Sequence, residues 1–431
     1  MPGLFLSVVG LADNRSLYVD CAPPVTMSCV DTLKWPIDSA LSFLTTIWNE
    51  VLAEESPARV AASRFYHPEL DILRFFAIFA VFCHHALPHE ASAYAALHIS
   101  PWLGHLLAGI AATGAFGVDI FFVLSSFLIT ELLLREKSLL GEVDVRSFYA
   151  RRVLRIWPLY FAFLALAAAM QLFVPGQHIG WRAAMGFTFL AGNWWIVFHG
   201  FPSSVIFPLW SISIEEQFYL LWPAAVKRAG TVMMLAFAVC MLAVANATRL
   251  YLGLHHTMET QAWCNTLVQL DPIAAGILIA VLLKGRTPAI GVRARAALAM
   301  AGIALLWLAA NFFRIKADPL KLQDLLLGYP AMAAGASALL IAVLCSRPML
   351  DKSLLVYLGR ISYGLYVFHV LALMCSDYLM PNFATSAGRL ALHGLIALML
   401  TIVLAAASYR WLETPFLKLK QRFTHVLSRA L

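Results

Sequence analysis

Charged residues are scarce in this sequence. Asp, Glu, Lys and Arg make up 13% of its 431 residues, whereas hydrophobic residues make up 61%. A typical soluble domain has about 25% charged residues and at most about 50% apolar ones. A soluble domain of this length could not bury so much apolar surface, and a disordered chain would be far more polar. The composition therefore excludes both classes and predicts a polytopic membrane protein.

Cysteine is also sparse, and the sequence has no internal repeat or low-complexity tract. The seven cysteines show no spacing typical of metal ligands, so the sequence predicts no metal site. Several lie within or beside apolar stretches, where cysteine behaves as a small apolar residue. These are Cys83, Cys240, Cys345 and Cys375. A small disulfide-bonded scaffold is excluded.

The net charge of +7 does not indicate a nucleic-acid partner. The basic residues lie in the loops between apolar spans, as is usual for the cytoplasmic loops of membrane proteins. We therefore expect contact with membrane lipid and no contact with nucleic acid.

From residue 70 onward, the chain is a series of eleven apolar spans of helical length. Open sheet edges cannot lie in lipid, and the spans are too long for barrel strands, so the predicted fold is all-α. The spans are 70–88, 113–134, 155–174, 184–198, 205–226, 230–249, 267–283, 296–313, 326–345, 361–378 and 391–412.

The distribution of basic residues determines how the short span 184–198 is interpreted. Loop 89–112 has no Lys or Arg and should face outward, whereas segment 135–155 has six and should face the cytoplasm. If 184–198 is re-entrant or interfacial, the later basic loops also face the cytoplasm. They contain Lys227, Arg228, Lys284, Arg286, Arg293, Arg295, Lys418, Lys420 and Arg422. We therefore predict about ten transmembrane helices plus this segment, with both termini in the cytoplasm.

This topology divides the chain into three parts. We expect a cytoplasmic N-terminal extension of unknown role over 1–65, a membrane domain over 66–417 and a short cytoplasmic tail over 418–431. The topology leaves three basic residues on the outer side, against the usual distribution. They are Arg314, Lys316 and Lys321.

Ionisable side chains interrupt the apolar pattern at several places. Such side chains are costly in a membrane and indicate function. They are Asp71, Arg74, His84 and His85 in the first span, Asp119 and Glu131 in the second, Glu215 and Glu216 in 205–226, and Arg360 and His369 around 361–378.

The predicted topology separates these groups by depth. Arg74 and His85 are eleven residues apart, which is roughly 16 Å of helical rise and returns to nearly the same helix face. The outer half of the membrane then holds His85 and three carboxylates: Asp119, Glu215 and Glu216. The cytoplasmic side holds Arg74 and four further arginines: Arg151, Arg152, Arg155 and Arg360.

This separation fits a two-substrate reaction. Arginines at a membrane entrance can bind the phosphates of a nucleotide-like donor. A buried histidine oriented by a carboxylate can take a proton from an acceptor hydroxyl. A donor with a long, thin arm, such as coenzyme A, fits this outline, although spacing alone does not identify it.

Six stretches of the sequence carry a family resemblance. They are ELDILRFFAIFAVFCHHAL (69–87), GVDIFFVLSSFLIT (117–130), FYARRVLRIWPLYF (148–161), LWSISIEEQFYLLWP (209–223), LGRISYGLYVFHV (358–370) and YRWLETPF (409–416). In this order and spacing, they resemble the signatures of membrane acyltransferase family 3. The resemblance covers about residues 68–417.

The resemblance implies an acyltransferase in a bacterial inner membrane. The donor would be acyl-CoA, often acetyl-CoA, and the acceptor a hydroxyl of a cell-surface glycan or another exported molecule. The family pattern of an Arg, ten intervening residues and a His selects His85, not His84, as the catalytic residue, with Arg74 needed beside it. Arg152 and Arg155 match its Arg-x-x-Arg pattern and would bind the donor.

Together these observations predict a membrane O-acyltransferase. The predicted catalytic set is His85, Arg74, Glu215, Glu216 and Asp119, and the predicted donor-binding set is Arg151, Arg152, Arg155 and Arg360. His85 would act as a general base or carry the acyl group covalently. Each residue also has a structural interpretation, and His369 in particular is typical of an interhelical hydrogen-bond partner. Two other functions stay open: a transporter or flippase of a lipid-linked or hydrophobic substrate, and a non-catalytic partner in polysaccharide assembly.

Overall fold

The computed structural model describes residues 66–426, apart from residues 256, 288–289, 317, 319, 346–352 and 382–384. Within this part of the chain, every regular element is a helix and none is a strand. The prediction of an all-α fold is therefore confirmed. The predicted extension 1–65 lies outside the described residues.

The helices follow the apolar pattern of the sequence. They are α1 Pro68–Ala86, α2 Ala91–Ala96, α3 Pro101–Gly114, α4 Gly117–Leu140, α5 Val145–Met170, α6 Trp181–Thr188, α7 Gly192–His199, α8 Trp210–Arg228, α9 Thr231–Leu254, α10 Glu259–Trp263, α11 Leu270–Leu283, α12 Val292–Asn311, α13 Tyr329–Leu344, α14 Leu354–Arg360, α15 Ser362–Leu379, α16 Ala387–Ser408 and α17 Thr414–Lys420.

Every predicted span except 184–198 centres on one of these α-helices. The short span 184–198 instead contains two short helices, α6 and α7, separated by a break at residues 189–191. The sequence did not predict α3, which lies in the supposed loop 89–112. Its 14 residues are apolar but too few to stand out as a separate membrane span.

Six helical stretches of the described residues are long and apolar enough to cross a membrane, or seven if the bent pair α14 and α15 forms one span. The protein is thus a multi-pass membrane protein. The ten predicted crossings exceed this number for a physical reason. Helices α1 and α8 contain the ionisable residues discussed above, and α11 has only 14 residues, so none of the three has a long, uncharged sequence.

Helix α1 lies among several others, and close packing fixes its position. It contacts α3, α4, α13, α14 and α15. A side chain at Gly117 would collide with the Ala77 carbonyl oxygen where α4 crosses α1, and one at Gly359 would collide with the Asp71 carbonyl oxygen where α14 meets α1. Only glycine permits backbones to approach so closely. The helix that carries Arg74 and His85 is therefore packed against protein on several sides, while Phe76 and Phe79 are exposed on its outer face.

The N-terminus of α5 is capped by a carboxylate. The backbone N–H of Ser147 donates to Oδ1 of Asp144 at 3.1 Å. Hydrogen bonds from the Ser147 side chain and backbone lower the pKa of Asp144 to about 2. This cap begins the helix that presents Arg152 and Arg155.

Candidate active site

A cavity lies beside the His85 imidazole near the C-terminal end of α1. Its wall also contains His84 and Lys316, and we call it the His85 cavity. Most of its other lining residues are aromatic. These are Phe201, Phe207, Trp210, Trp263 and Tyr366. The cavity thus presents an imidazole and an ammonium group within largely apolar walls.

His85 is held by its own helix and by α15. Its Nδ1 lies 2.9 Å from the Val81 carbonyl oxygen and 3.3 Å from Nε2 of His369. The adjacent His84 points elsewhere, with Nδ1 2.8 Å from the Ala111 carbonyl oxygen on α3. The two neighbouring histidines therefore have different surroundings, and His85 is the one that contacts α15.

A second cavity lies at the other end of the site, beside the three arginines Arg74, Arg152 and Arg155. We call it the arginine cavity. Its other polar lining residues are Tyr66, His67, Asp71, Ser125, Tyr219 and Lys420. The structure thus brings one predicted catalytic residue, Arg74, together with two of the predicted donor-binding residues.

Aromatic rings and a carboxylate hold the arginines in this cavity. The guanidinium carbon of Arg152 lies 5.3 Å from the centre of the Phe148 ring and 5.2 Å from that of Tyr219. A cation over an aromatic face is stabilised by the ring quadrupole. Nη1 of Arg74 lies 2.9 Å from Oδ1 of Asp71. These contacts fix two positive charges before any ligand binds.

A middle cavity connects the two ends. It shares Arg74, Arg152 and Tyr219 with the arginine cavity, and Val118 and Tyr366 with the His85 cavity. Cavities that share lining residues adjoin each other, so the three form a row of adjacent cavities within the helix bundle, which we call the path. The path runs from a group of arginines to a histidine.

The predicted carboxylates are distributed around this path. Glu215 lines the middle cavity, and its Oε2 accepts a hydrogen bond from the Tyr219 hydroxyl at 3.0 Å. Glu216 instead accepts from Nε1 of Trp157 at 3.2 Å. Asp119 is fully buried, and neither of its carboxylate oxygens has a hydrogen-bond partner among the residues that the structure describes. None of these carboxylates hydrogen-bonds to His85 within the described part of the chain.

The other two predicted donor-binding arginines have protein partners. Nη2 of Arg151 lies 2.7 Å from Oε2 of Glu136, and its Nη1 donates to the Phe423 carbonyl oxygen at 2.7 Å. Nη2 of Arg360 donates to the Tyr66 hydroxyl at 3.0 Å. Neither arginine is among the residues lining the arginine cavity.

Several lining residues escaped the sequence interpretation. Tyr66 and Tyr219 belong to stretches rich in aromatics, where nothing distinguished them. Lys420 lies in the segment interpreted as a tail, yet it lines the arginine cavity. Lys316 carried a usable signal, because it is one of the basic residues that the predicted topology leaves outside. Among the described residues, no group of three or more His, Cys, Asp or Glu side chains is placed to hold a metal ion.

Comparison with known proteins identifies the family. A family described as an acyltransferase domain matches residues 67–410, which is most of the chain. The chain belongs to membrane acyltransferase family 3. The resemblance of its six motifs is therefore confirmed over almost the same range.

Curated relatives support this membership. The chain is 27% identical over 384 residues to the peptidoglycan O-acetyltransferase OatA of Listeria monocytogenes, covering 83% of this chain and 56% of the relative. It is 26% identical over 383 residues to the O-acetyltransferase OatA of Staphylococcus aureus strain NCTC 8325, covering 82% of this chain and 57% of that relative. The chain thus spans little more than half the length of these relatives. No solved structure matches it.

Proposed function

We propose that the protein is a membrane O-acyltransferase that moves an acyl group, most simply acetyl, from acyl-CoA to a hydroxyl of a carbohydrate acceptor. One observation carries this proposal: a path of adjoining cavities links Arg74, Arg152 and Arg155 to His85. Family membership supports acyl transfer as the reaction.

The arginine cavity supports a phosphate-bearing donor. Guanidinium groups form bidentate, charge-assisted hydrogen bonds with phosphate oxygens. The nucleotide phosphates of coenzyme A would bind Arg152 and Arg155, while its pantetheine arm extends through the middle cavity. The rise along α1 from Arg74 to His85 is roughly 16 Å, a distance that calls for a long arm. Glu215 and Tyr219 would line the arm's route.

His85 would act as the general base. Its Nε2 takes the proton of the acceptor hydroxyl while the oxygen attacks the thioester carbonyl carbon. The carbon–sulfur bond breaks, the acyl group stays on the acceptor oxygen, and the thiolate leaves and is protonated. Asp119, which is fully buried on α4, and the half-buried Glu216 on α8 are proposed to support this site electrostatically without contacting the substrates.

The His85 cavity would receive the acceptor. Its aromatic walls provide flat apolar surfaces, and His84 and Lys316 provide polar groups, a combination suited to a sugar. The Listeria relative is named for acetylation of peptidoglycan, which supports a carbohydrate acceptor.

The proposed topology accounts for the direction of transfer. If α1, α8 and α11 also cross, the protein has ten crossings, with α6 and α7 re-entrant or interfacial. The basic loops and both termini then lie on the cytoplasmic side of the inner membrane. The arginine cavity would open to cytoplasmic donor, and the His85 cavity would face the exported acceptor.

The same row of cavities would also fit a transporter or flippase, which needs a route but no group transfer. Purified protein in detergent, supplied with acetyl-CoA labelled in the acetyl group and with glycan fragments, separates the two. Folded wild type should release free thiol and label the glycan. His85→Ala should abolish both, whereas the matched neighbour variant His84→Ala should retain measurable turnover. Folded wild type that neither binds nor turns over acetyl-CoA would overturn the proposal.

A further inference from the structure

We propose that His369 is a positioning residue that holds His85 in its reactive tautomer. This inference rests on the proposed function, because it assumes that His85 is the general base. The observation behind it is the 3.3 Å separation of Nδ1 of His85 from Nε2 of His369.

The hydrogen bonds of the two imidazoles assign their protons. A carbonyl oxygen can only accept, so a ring nitrogen beside one must carry the proton. Nδ1 of His369 lies beside the Tyr366 carbonyl oxygen, and Nδ1 of His85 lies beside that of Val81. Each neutral ring therefore carries its proton on Nδ1. Nε2 of His369 then carries a lone pair and accepts from Nδ1–H of His85, whose one proton is shared between this nitrogen and the Val81 carbonyl oxygen.

This arrangement leaves Nε2 of His85 as the unprotonated nitrogen. His85 lines its cavity, whereas His369 is fully buried behind it and does not. A proton from an acceptor hydroxyl can therefore reach Nε2 of His85 and not His369. A second imidazole occupies the position that a carboxylate holds in a serine-protease triad, where the third residue orients the base.

The groups around His85 leave His369 as its only side-chain hydrogen-bond partner among the described residues. Phe207 contributes a ring 5.6 Å away, centre to centre. Lys316 lines the same cavity but is positively charged and cannot accept a proton from Nδ1. Loss of His369 would leave the Val81 carbonyl alone to select the tautomer and fix the ring.

Three substitutions at residue 369 separate positioning from packing. The amide of Gln reaches about as far as Nε2 of histidine, so His369→Gln keeps an acceptor for His85. The shorter His369→Asn keeps a donor for the Tyr366 carbonyl but cannot reach His85. His369→Leu keeps only the approximate volume of the side chain and has no hydrogen-bonding group. Each variant is purified in detergent, its thermal unfolding is recorded, and kcat and KM for acetyl-CoA are measured beside wild type and His85→Ala.

We expect His369→Asn and His369→Leu to lose on the order of 100-fold in kcat, the lower end of what a general base contributes. His369→Gln should recover most of that loss. KM for acetyl-CoA should stay within about twofold throughout, because donor phosphates bind at the arginine cavity.

Other outcomes overturn the inference. Wild-type kcat in all three variants, with His85→Ala inactive, would show that His85 needs no such partner and would leave the proposed function standing. Equal losses of kcat in His369→Gln, His369→Asn and His369→Leu would indicate that His369 has a packing role. An active His85→Ala would instead contradict the proposed function, and this inference with it.

Discussion

The Lys316 ammonium lies 3.0 Å from Oε1 of Glu259 and 4.3 Å from the centre of the Trp263 ring, at the wall of the His85 cavity. Glu259 is itself buried. A buried carboxylate needs a charged or hydrogen-bonding partner. Lys316, one of the three basic residues that the predicted topology leaves outside, is thus held beside His85 by the Glu259 carboxylate and the Trp263 ring.

We predict that Lys316 contributes to acceptor binding. Replacing it alone would leave Glu259 buried without its partner, so the informative variant is Lys316→Met combined with Glu259→Gln. Loss of a charge-assisted hydrogen bond should raise the acceptor KM about tenfold, with little change in the acetyl-CoA KM. Lys321→Met, an exposed lysine of the same segment, is the control. Equal acceptor KM values in the two variants would contradict the prediction.

Substitution of the two arginines of α5 that line the arginine cavity should weaken donor binding. Arg152→Gln and Arg155→Gln should raise the acetyl-CoA KM by roughly 10- to 100-fold, because each removes charge-assisted bonds to phosphate. Initial-rate measurements over a range of donor concentrations test this. A donor KM that stays at the wild-type value would argue against phosphate binding here.

Arg151→Gln should act on stability instead of donor binding. It leaves the Glu136 side chain, which is 2% exposed, without its ionic partner, at a cost of about 3 kcal/mol. Thermal unfolding in detergent should show a lower midpoint, while the donor KM of the surviving folded protein stays unchanged. Arg146→Gln, at an exposed position of the same helix, should change neither quantity.

Two substitutions at Tyr219 separate its ring from its hydroxyl. Tyr219→Leu removes the face that Arg152 covers, worth about 1 kcal/mol, and should raise the acetyl-CoA KM several-fold. Tyr219→Phe keeps the ring and loses the hydroxyl with its hydrogen bonds to Glu215 and Ser125, so its donor KM should stay near wild type. If Tyr219→Phe and Tyr219→Leu raise the acetyl-CoA KM equally, the Tyr219 hydroxyl and not its ring holds Arg152.

The crossing of α4 over α1 should not tolerate a side chain at Gly117. Gly117→Val would collide with the Ala77 backbone, which cannot rotate away as a side chain could, and we expect a loss of about 3 kcal/mol or no folded protein. Gly388→Ala, with open space around it, should be neutral or stabilising by up to about 1 kcal/mol. Size-exclusion profiles and unfolding midpoints of the two variants make the comparison.

Composition and hydropathy were sufficient to predict the class of the protein and most of its helices. Lipid permits few backbone structures, so long apolar runs are helices whatever their neighbours. The spacing of Arg74 and His85 likewise follows from local helical geometry. The hydropathy pattern missed α3, because that helix is short. At 184–198 the apolar run contains two short helices, and whether it is re-entrant or interfacial stays a prediction.

Which side chains contact one another in the folded protein depends on how the helices pack. Residues adjacent in sequence, such as His84 and His85 or Arg151 and Arg152, carry the same local signal but point about 100° apart on a helix. Which histidine contacts α15, and which arginine lines the arginine cavity, depends on the neighbouring helices, and no local pattern contains that information. The contact between His85 and His369 joins residues 284 positions apart. Glycines such as Gly117 and Gly359 let α4 and α14 approach α1 closely, and α15, which follows α14 directly, also packs against α1.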